Sequence, residues 1–249
     1  MSALQGRVAW VTGAGTGIGR GIALGLAHAG ADLVLTGRRQ ELLEEVANLV
    51  RGAGRQARVA AVDVTDRAGI ACAVDETTRR FGDIHLLVNN AGVNTMRRTA
   101  TEMTPEDWDS VVAVNLTGAF NCFRAVYPQM RERGDGLIIN IASMSGKQTS
   151  LLGGAAYCAS KHGMVSLTHS INLEAAGHGI RACAICPGEV DTPILAIRPE
   201  PVSAKRQSLM LQPEDIAAAV VFVASLPPRV AIPELWILPT YQVSGQPLP

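Results

Sequence analysis

No sign of charge predominates in this chain: 22 Lys and Arg residues stand against 22 Asp and Glu, and the net charge is zero with histidine neutral. A balanced chain offers no long-range field to nucleic acid, an anionic membrane or a strongly acidic partner, so any phosphate binding must be local. Cysteine is sparse and odd in number, five residues without framework spacing, which argues against a disulfide-stapled scaffold. The amino terminus lacks a basic segment followed by an apolar run and a cleavage site. Apolar stretches are broken by Gly, Pro or charge well short of the roughly 18 residues of a membrane span. A soluble protein of the reducing cytoplasm is expected. Repeats, low-complexity tracts and linkers are also missing. At 249 residues the chain can bury roughly three quarters of its unfolded surface, and one domain over 1–249 is expected in preference to two.

What is present is alternation. Short β-rich apolar runs at Val8–Val11, Asp32–Leu35, Val59–Val62, Ile84–Val88, Leu137–Ile141 and Arg181–Ile185 are separated by helical patterns at Gly17–Ala29, Glu41–Ala53, Arg67–Arg80, Pro105–Arg131, Ala155–His178 and Pro213–Ser225. Such alternation predicts βαβ units in a parallel sheet covered on both faces, an α/β doubly wound, three-layer fold. Thr104 followed by Pro105, Glu106 and Asp107 is a helix start: cap, fixed φ and acids at the positive end of the dipole. Leu235–Leu238 suits a last edge strand among prolines, with Gln242–Pro249 extended beyond it. The stretch 194–212 holds Pro199 and Pro201 and has no clear period. It follows a strand end, where open α/β sheets bind ligands, and reads as a lid over substrate or else as a surface insertion at about 193–212.

Chemistry concentrates in four places. After the first strand comes Thr12-Gly13-Ala14-Gly15-Thr16-Gly17-Ile18-Gly19, leading into a helix. Glycines there permit otherwise forbidden dihedrals and let the main chain approach a pyrophosphate, which the free N–H groups of a helix start can bind. After the second strand the chain reads Leu35-Thr36-Gly37-Arg38-Arg39. An acid that would take ribose hydroxyls is absent, whereas a guanidinium can pair bidentately with a 2′-phosphate. NADP(H) is therefore preferred, with NAD(H) possible; one of the two arginines is expected to flank the next helix instead. Tyr157 and Lys161, four apart, lie on one helix face. A phenol of pKa about 10 is poorly poised to shuttle a proton at neutral pH, and a nearby ammonium in a dry site favours the phenolate, so Lys161 is expected to lower Tyr157. Ser143, at the end of the fifth strand, could be a fixed donor to a developing oxyanion, with Ser145 as runner-up. Cys183 and Cys186 have CxxC spacing, but they fall largely within a strand, facing opposite sides, with no second ligand pair. The five histidines do not cluster. No metal site is expected.

The GxxxGxG spacing at Gly13, Gly17 and Gly19, with Asn89-Asn90-Ala91-Gly92 and Tyr157-Cys158-Ala159-Ser160-Lys161, resembles the short-chain dehydrogenase/reductase family from about Gly6 to Leu238. The resemblance implies a Rossmann-type domain with a seven-stranded parallel sheet, assembled as a homodimer or homotetramer, transferring hydride between a nicotinamide cofactor and a small carbonyl or alcohol substrate. It implies catalytic roles for Ser143, Tyr157, Lys161 and Asn115. Lys161 would also hold the nicotinamide ribose, and Asn115 would kink its helix and hold a water; otherwise Asn115 simply bonds a neighbouring strand. Cofactor contacts are implied for Gly13, Gly15, Thr16, Gly17, Ile18, Gly19, Asp63, Val64, Asn90, Ala91 and Gly92, and for Pro187, Gly188, Val190 and Thr192. Asp63 matches the adenine-side acid, or else caps the following helix. Two departures stand out: Thr16 sits where NADP-using relatives often carry a basic residue, and Ser143 precedes Tyr157 by one residue more than usual. Glu189 and Asp191 read as solvated in preference to catalytic, and Lys205 and Arg206 as exposed charge in preference to partners of an anionic substrate. The ending Ile232–Thr240 is closer to the branch that includes 3-hydroxy amino acid dehydrogenases than to 3-oxoacyl thioester reductases. A dinucleotide sensor without turnover, or a lyase or epimerase on the same fold, is the rival.

Overall fold

A computed structural model describes residues 3–243. Seven parallel strands form one sheet in the order β3-β2-β1-β4-β5-β6-β7: β1 Val8–Thr12, β2 Asp32–Gly37, β3 Ala57–Ala61, β4 Leu86–Asn89, β5 Gly136–Ile141, β6 Ile180–Pro187 and β7 Glu234–Ile237. The chain winds outward from β1 through β2 to β3, then returns to lay β4 on the other side of β1, so the strand order reverses between β1 and β4. A crevice opens above the carboxyl ends of strands at such a switch point.

Residues alternate between faces. Ala9, Val11, Leu33, Leu35, Val88 and Ile139 pack on one side against Ile22 and Leu26 of α1 (Gly17–His28), Leu43 and Val46 of α2 (Gln40–Gly52), and Ile216 and Val220 of α8 (Pro213–Ser225). Trp10, Val34, Leu87 and Ile138 pack on the other, against Ile70 of α3 (Arg67–Phe81), Cys122 and Val126 of α5 (Gly118–Arg133), and Ile171 of α6 (Ala155–Ala175). The result is the expected three-layer Rossmann-type arrangement. Trp10 is fully buried, its indole N–H donating to Thr36 Oγ1 at 2.8 Å. Cys183 and Cys186 do fall in packing clusters on opposite faces.

Thr104 caps α4 (Pro105–Val112) in a reciprocal capping box with Asp107. The expected continuous helix 105–131 is instead interrupted: Ala113–Thr117 is a π turn, in which the Gly118 N–H reaches back to the Ala113 carbonyl. An extra residue per turn re-aims side chains without ending the helix. The Ala155–His178 helix ends at Ala175 with a 3-10 turn through His178, and β3 begins two residues earlier than expected.

Segment 193–212 is built rather than irregular. It carries a 3-10 turn at Pro193–Ile197, the short α7 (Ala204–Gln207) and a parallel bridge between Val190 and Leu211. Both its ends rest on α1. A Cβ at Gly17 would lie 3.2 Å from Thr192 Cγ2, and one at Gly21, a turn further on, 2.9 Å from Pro213 Cβ. The tail corrects an expectation: Thr240–Val243 is a short helix, α9, so the chain is not extended from Gln242. The remainder, 244–249, lies outside the described residues.

Candidate active site

The glycine turn owes its shape to close approach. Gly13 (φ +63°) and Gly17 (φ +52°) occupy left-handed backbone, open to glycine at little cost. Asn90 Nδ2 donates to the carbonyls of Thr12 (3.0 Å) and Gly13 (3.2 Å), and Thr12 Oγ1 accepts the N–H groups of Asn90 and Ala91, each at 3.0 Å. The turns after β1 and β4 are thereby fixed to each other at the switch point. A Cβ on Gly19 would sit 2.1 Å from the Gly13 carbonyl oxygen. Gly19 is thus closely packed against the turn and is not among the residues that line the cleft.

Above the sheet lies a cleft of about 540 Å³. Gly13, Gly15, Thr16, Gly17 and Ile18 line it from the first turn, Arg38 and Arg39 from the second strand, and Asp63 and Val64 from the third. Asn90, Ala91 and Gly92, then Ser143, Tyr157 and Lys161, and finally Pro187, Gly188, Val190 and Thr192 line the rest of it. Arg39 is also the residue that opens α2. Asp63 does not cap the following helix: Asp66 does, accepting the Gly69 N–H at 3.0 Å. Asp63 holds Thr65 through its N–H (2.9 Å) and hydroxyl (2.8 Å). Burial would raise its carboxyl, but these bonds and the Arg38 charge outweigh that and hold it below the usual range.

At the other end of the cleft the Ser143 side chain lies beside the Tyr157 phenol and favours its ionised form. Ser143 also accepts the Ser145 N–H at 3.0 Å, so of the two serines it is Ser143 that meets Tyr157. Lys161, 3 % exposed, donates to the Ile141 carbonyl at 2.7 Å, and its Nζ lies 5.6 Å from the centre of the Tyr157 ring. Burial pushes the Lys161 ammonium down to about 8. The expected lowering of Tyr157 by Lys161 is not found. Burial lifts the phenol above its ordinary value, against the neighbouring Ser143 side chain, and the Lys161 ammonium is turned toward the Ile141 carbonyl.

Asn115 reaches this machinery from behind. It is fully buried in the π turn. Its Oδ1 accepts the Val93 N–H at 2.8 Å, and its Nδ2 donates to the Val93 carbonyl (3.0 Å) and to Ser160 Oγ (3.1 Å). Both amide atoms are engaged by protein, so its side chain locks the chain after β4 to the helix that carries Tyr157 and Lys161; it does not line the cleft. Nearby, Asn89 bridges strands to Asn140 at 2.9 Å.

Comparison with known proteins agrees with this geometry. A family model described as short chain dehydrogenase matches residues 7–201. This chain belongs to the short-chain dehydrogenase family. An uncharacterized oxidoreductase of Staphylococcus saprophyticus is 38% identical over 245 residues, spanning 96% of this dehydrogenase and 100% of the relative. One from Staphylococcus aureus strain USA300 is 34% identical over 239 residues, with 96% and 100% covered. Among solved structures, a metagenomic short-chain oxidoreductase in complex with NADP is 35% identical with a TM-score of 0.83, covering 96% of this chain and 99% of that one. An alcohol dehydrogenase from the archaeon Thermococcus sibiricus, complexed with 5-hydroxy-NADP, is 29% identical with a TM-score of 0.85, covering 95% and 97%.

Two features of this short-chain dehydrogenase escape a reading of its sequence. Glu189, expected to be solvated, is 6 % exposed. It accepts Arg198 Nη1 (2.8 Å), Arg206 Nη2 (2.8 Å) and Nε (3.0 Å), and the Tyr241 hydroxyl (2.5 Å). Burial would raise its carboxyl, but these three partners outweigh that and hold it below the usual range. Arg206 is therefore paired, not free exposed charge. Gln242 Oε1 accepts the Glu189 N–H at 3.0 Å. The loop after β6, segment 193–212 and α9 meet at this one carboxylate. The second feature is Arg98, 7 % exposed at the cleft wall. The partners of the Glu189 carboxylate lie nine to fifty-two residues away, and two of the three carbonyls that hold Arg98 lie 54 and 99 residues away.

Proposed function

We propose that this dehydrogenase transfers hydride between NADP(H) and a small carbonyl or alcohol substrate, with Tyr157 as general acid/base assisted by Lys161 and Ser143 and positioned by Asn115. The convergence of Tyr157, Ser143 and Lys161 on one end of a cleft whose other end is the glycine turn supports this assignment. The residues present suit a dinucleotide. Thr16 makes no side-chain cap to α1, leaving that helix start open to an anion, and Gly13 and Gly17 hold the turn in left-handed backbone. Arg38, exposed beside the cleft, would hold the 2′-phosphate that selects NADP over NAD, as the NADP bound in the metagenomic relative also favours. When bound, the nicotinamide supplies or accepts the hydride.

Tyr157 and Ser143 are placed to donate to a carbonyl oxygen as negative charge grows on it. Because burial keeps Tyr157 protonated at neutral pH, its proton is available in the reductive direction. Lys161, charged below about 8, stabilises the phenolate left behind through space. Oxidation of an alcohol runs the same groups in reverse.

Tyr157→Phe should lower carbonyl reduction by about 100- to 10,000-fold with NADPH affinity, followed by nicotinamide fluorescence, nearly unchanged. Full activity in that variant would sink the mechanism, and a wild type that binds NADPH but turns over none of a broad carbonyl and alcohol panel would leave a sensor. Arg38→Ala should raise the KM for NADPH far more than that for NADH; equal effects count against the phosphate role.

A further inference from the structure

Arg98 touches all three loops that wall the substrate end of the cleft. Its Nε donates to the Thr95 carbonyl at 3.0 Å, its Nη1 to that of Leu152, and its Nη2 to that of Ile197 at 2.7 Å. Its own carbonyl accepts the Ala155 N–H at 2.9 Å, and a Cβ on Gly154 would lie 2.6 Å from Arg98 Cβ. Arg98 is therefore clamped to the first turn of α6, two residues before Tyr157.

Every acceptor it meets is neutral. Arg55, Arg58, Arg133 and Arg198 each carry a carboxylate partner; among the described residues Arg98 pairs with none. A guanidinium has five N–H donors, so the three bonds leave one N–H on each terminal nitrogen without a protein partner. The charged groups around this end of the cleft are Lys161, Arg98 and Arg198 against Glu189 alone, and Glu189 already serves Arg198, Arg206 and Tyr241. Burial first, and then the Arg198 charge, pull Arg98 below its ordinary value, while Tyr157 acts in the opposite sense. A buried cation facing a second cation is a costly arrangement unless an anion joins it.

We infer that the substrate of this dehydrogenase carries a carboxylate alongside its reacting carbonyl or alcohol, and that Arg98 receives that carboxylate. The inference rests on the hydride-transfer assignment above. It restricts the substrates to oxo acids and hydroxy acids whose carboxylate reaches Arg98 while the reacting oxygen meets Tyr157 and Ser143. Arg98 serves as a specificity residue: without the anion the cleft retains an uncompensated positive charge, which disfavours neutral congeners.

The test is a matched panel with NADPH: 2-, 3-, 4- and 5-oxo acids against their own methyl esters. One acid should exceed its ester by about 10- to 100-fold in kcat/KM, the range for a hydrogen bond to a charged group. Arg98→Met should collapse that ratio toward unity, with Arg98→Lys intermediate because it keeps the charge and loses the fork. The wild-type ratio decides the matter even where the variants fail to fold. A parallel arm follows binding of the same acids to the enzyme–NADP complex by thermal shift. Esters equal to or better than acids throughout would overturn the inference and leave the hydride assignment standing. Acids that bind through Arg98 with no turnover of any pair would sustain the anion site and refute hydride transfer. No turnover and no binding would overturn both.

Discussion

Replacing Glu189 with Gln would retain the volume and remove the charge on which three chain segments converge. One Glu189 oxygen accepts Arg198 and Arg206 while the other accepts Arg206 and Tyr241. In glutamine one of these becomes an amide N–H₂, so donor faces donor on that side, and two guanidinium groups lose their counter-charge. Removing one partner of a buried ion pair costs about 3–5 kcal/mol. Arg198 is only 12% exposed, but Arg206 at 34% can rehydrate, which places the cost near the lower end, about 3 kcal/mol. For a chain of this size that corresponds to a fall of about 6–12 °C in Tm, read by scanning fluorimetry and checked by urea unfolding. The pH dependence has a definite sign. Glu189 is held below its unfolded value, so its stabilisation is complete above about pH 4.3 and is lost as pH falls through the folded value. Wild type and variant should therefore converge in acid. A Tm change below about 2 °C at pH 7, where a kilocalorie corresponds to about 2–4 °C, would refute the view that this carboxylate holds the three segments together.

Two other perturbations probe the site from different directions. Gly19→Ala forces a methyl to within 2.1 Å of a backbone oxygen and 2.5 Å of Asn90 Nδ2; with no flexible side-chain end to yield at the oxygen, soluble yield and NADPH affinity should both fall. Gly52→Ala, with nothing within 4 Å, is the control and should stabilise by up to about 1 kcal/mol. Because burial holds Lys161 near 8, kcat/KM for reduction should be level through neutrality and decline above about pH 8 as the ammonium discharges. Lys161→Arg should move that limb upward, and a wild-type profile still flat at about pH 9 would exclude Lys161 as the titrating group.

The parts of this molecule that were legible in its sequence are those whose partners lie within a turn of helix or at a strand end. Gly13 and Gly17 announce a left-handed turn after β1 because backbone conformation is a local property. Tyr157 and Lys161 share a face by helical geometry alone. Arg38 is brought to the cleft by the strand it follows. Glu189 was misread because an isolated acid in a loop is ordinarily hydrated, and what buries this one arrives from Arg198, Arg206 and Tyr241. The Tyr157 phenol was misjudged for a related reason: spacing brings Lys161 near it but does not reveal that the ammonium points to the Ile141 carbonyl. The π turn at Asn115 has no sequence signature beyond an unfavourable residue in a helix; its cause is the dock onto Val93 and Ser160.

Segment 193–212 starts beside Gly17 and ends beside Gly21, two glycines one turn apart on the same helix. Geometrically it is a closed excursion whose entrance and exit share one mount. Lengthening or shortening such an excursion leaves the distance between its ends untouched, and each doubling of loop length costs only about 0.6 kcal/mol in closure entropy. The segment can thus change in length while α1, against which both its ends pack, stays in register. Variation in the segment and constancy of the helix beneath it are separated here by the placement of two missing side chains.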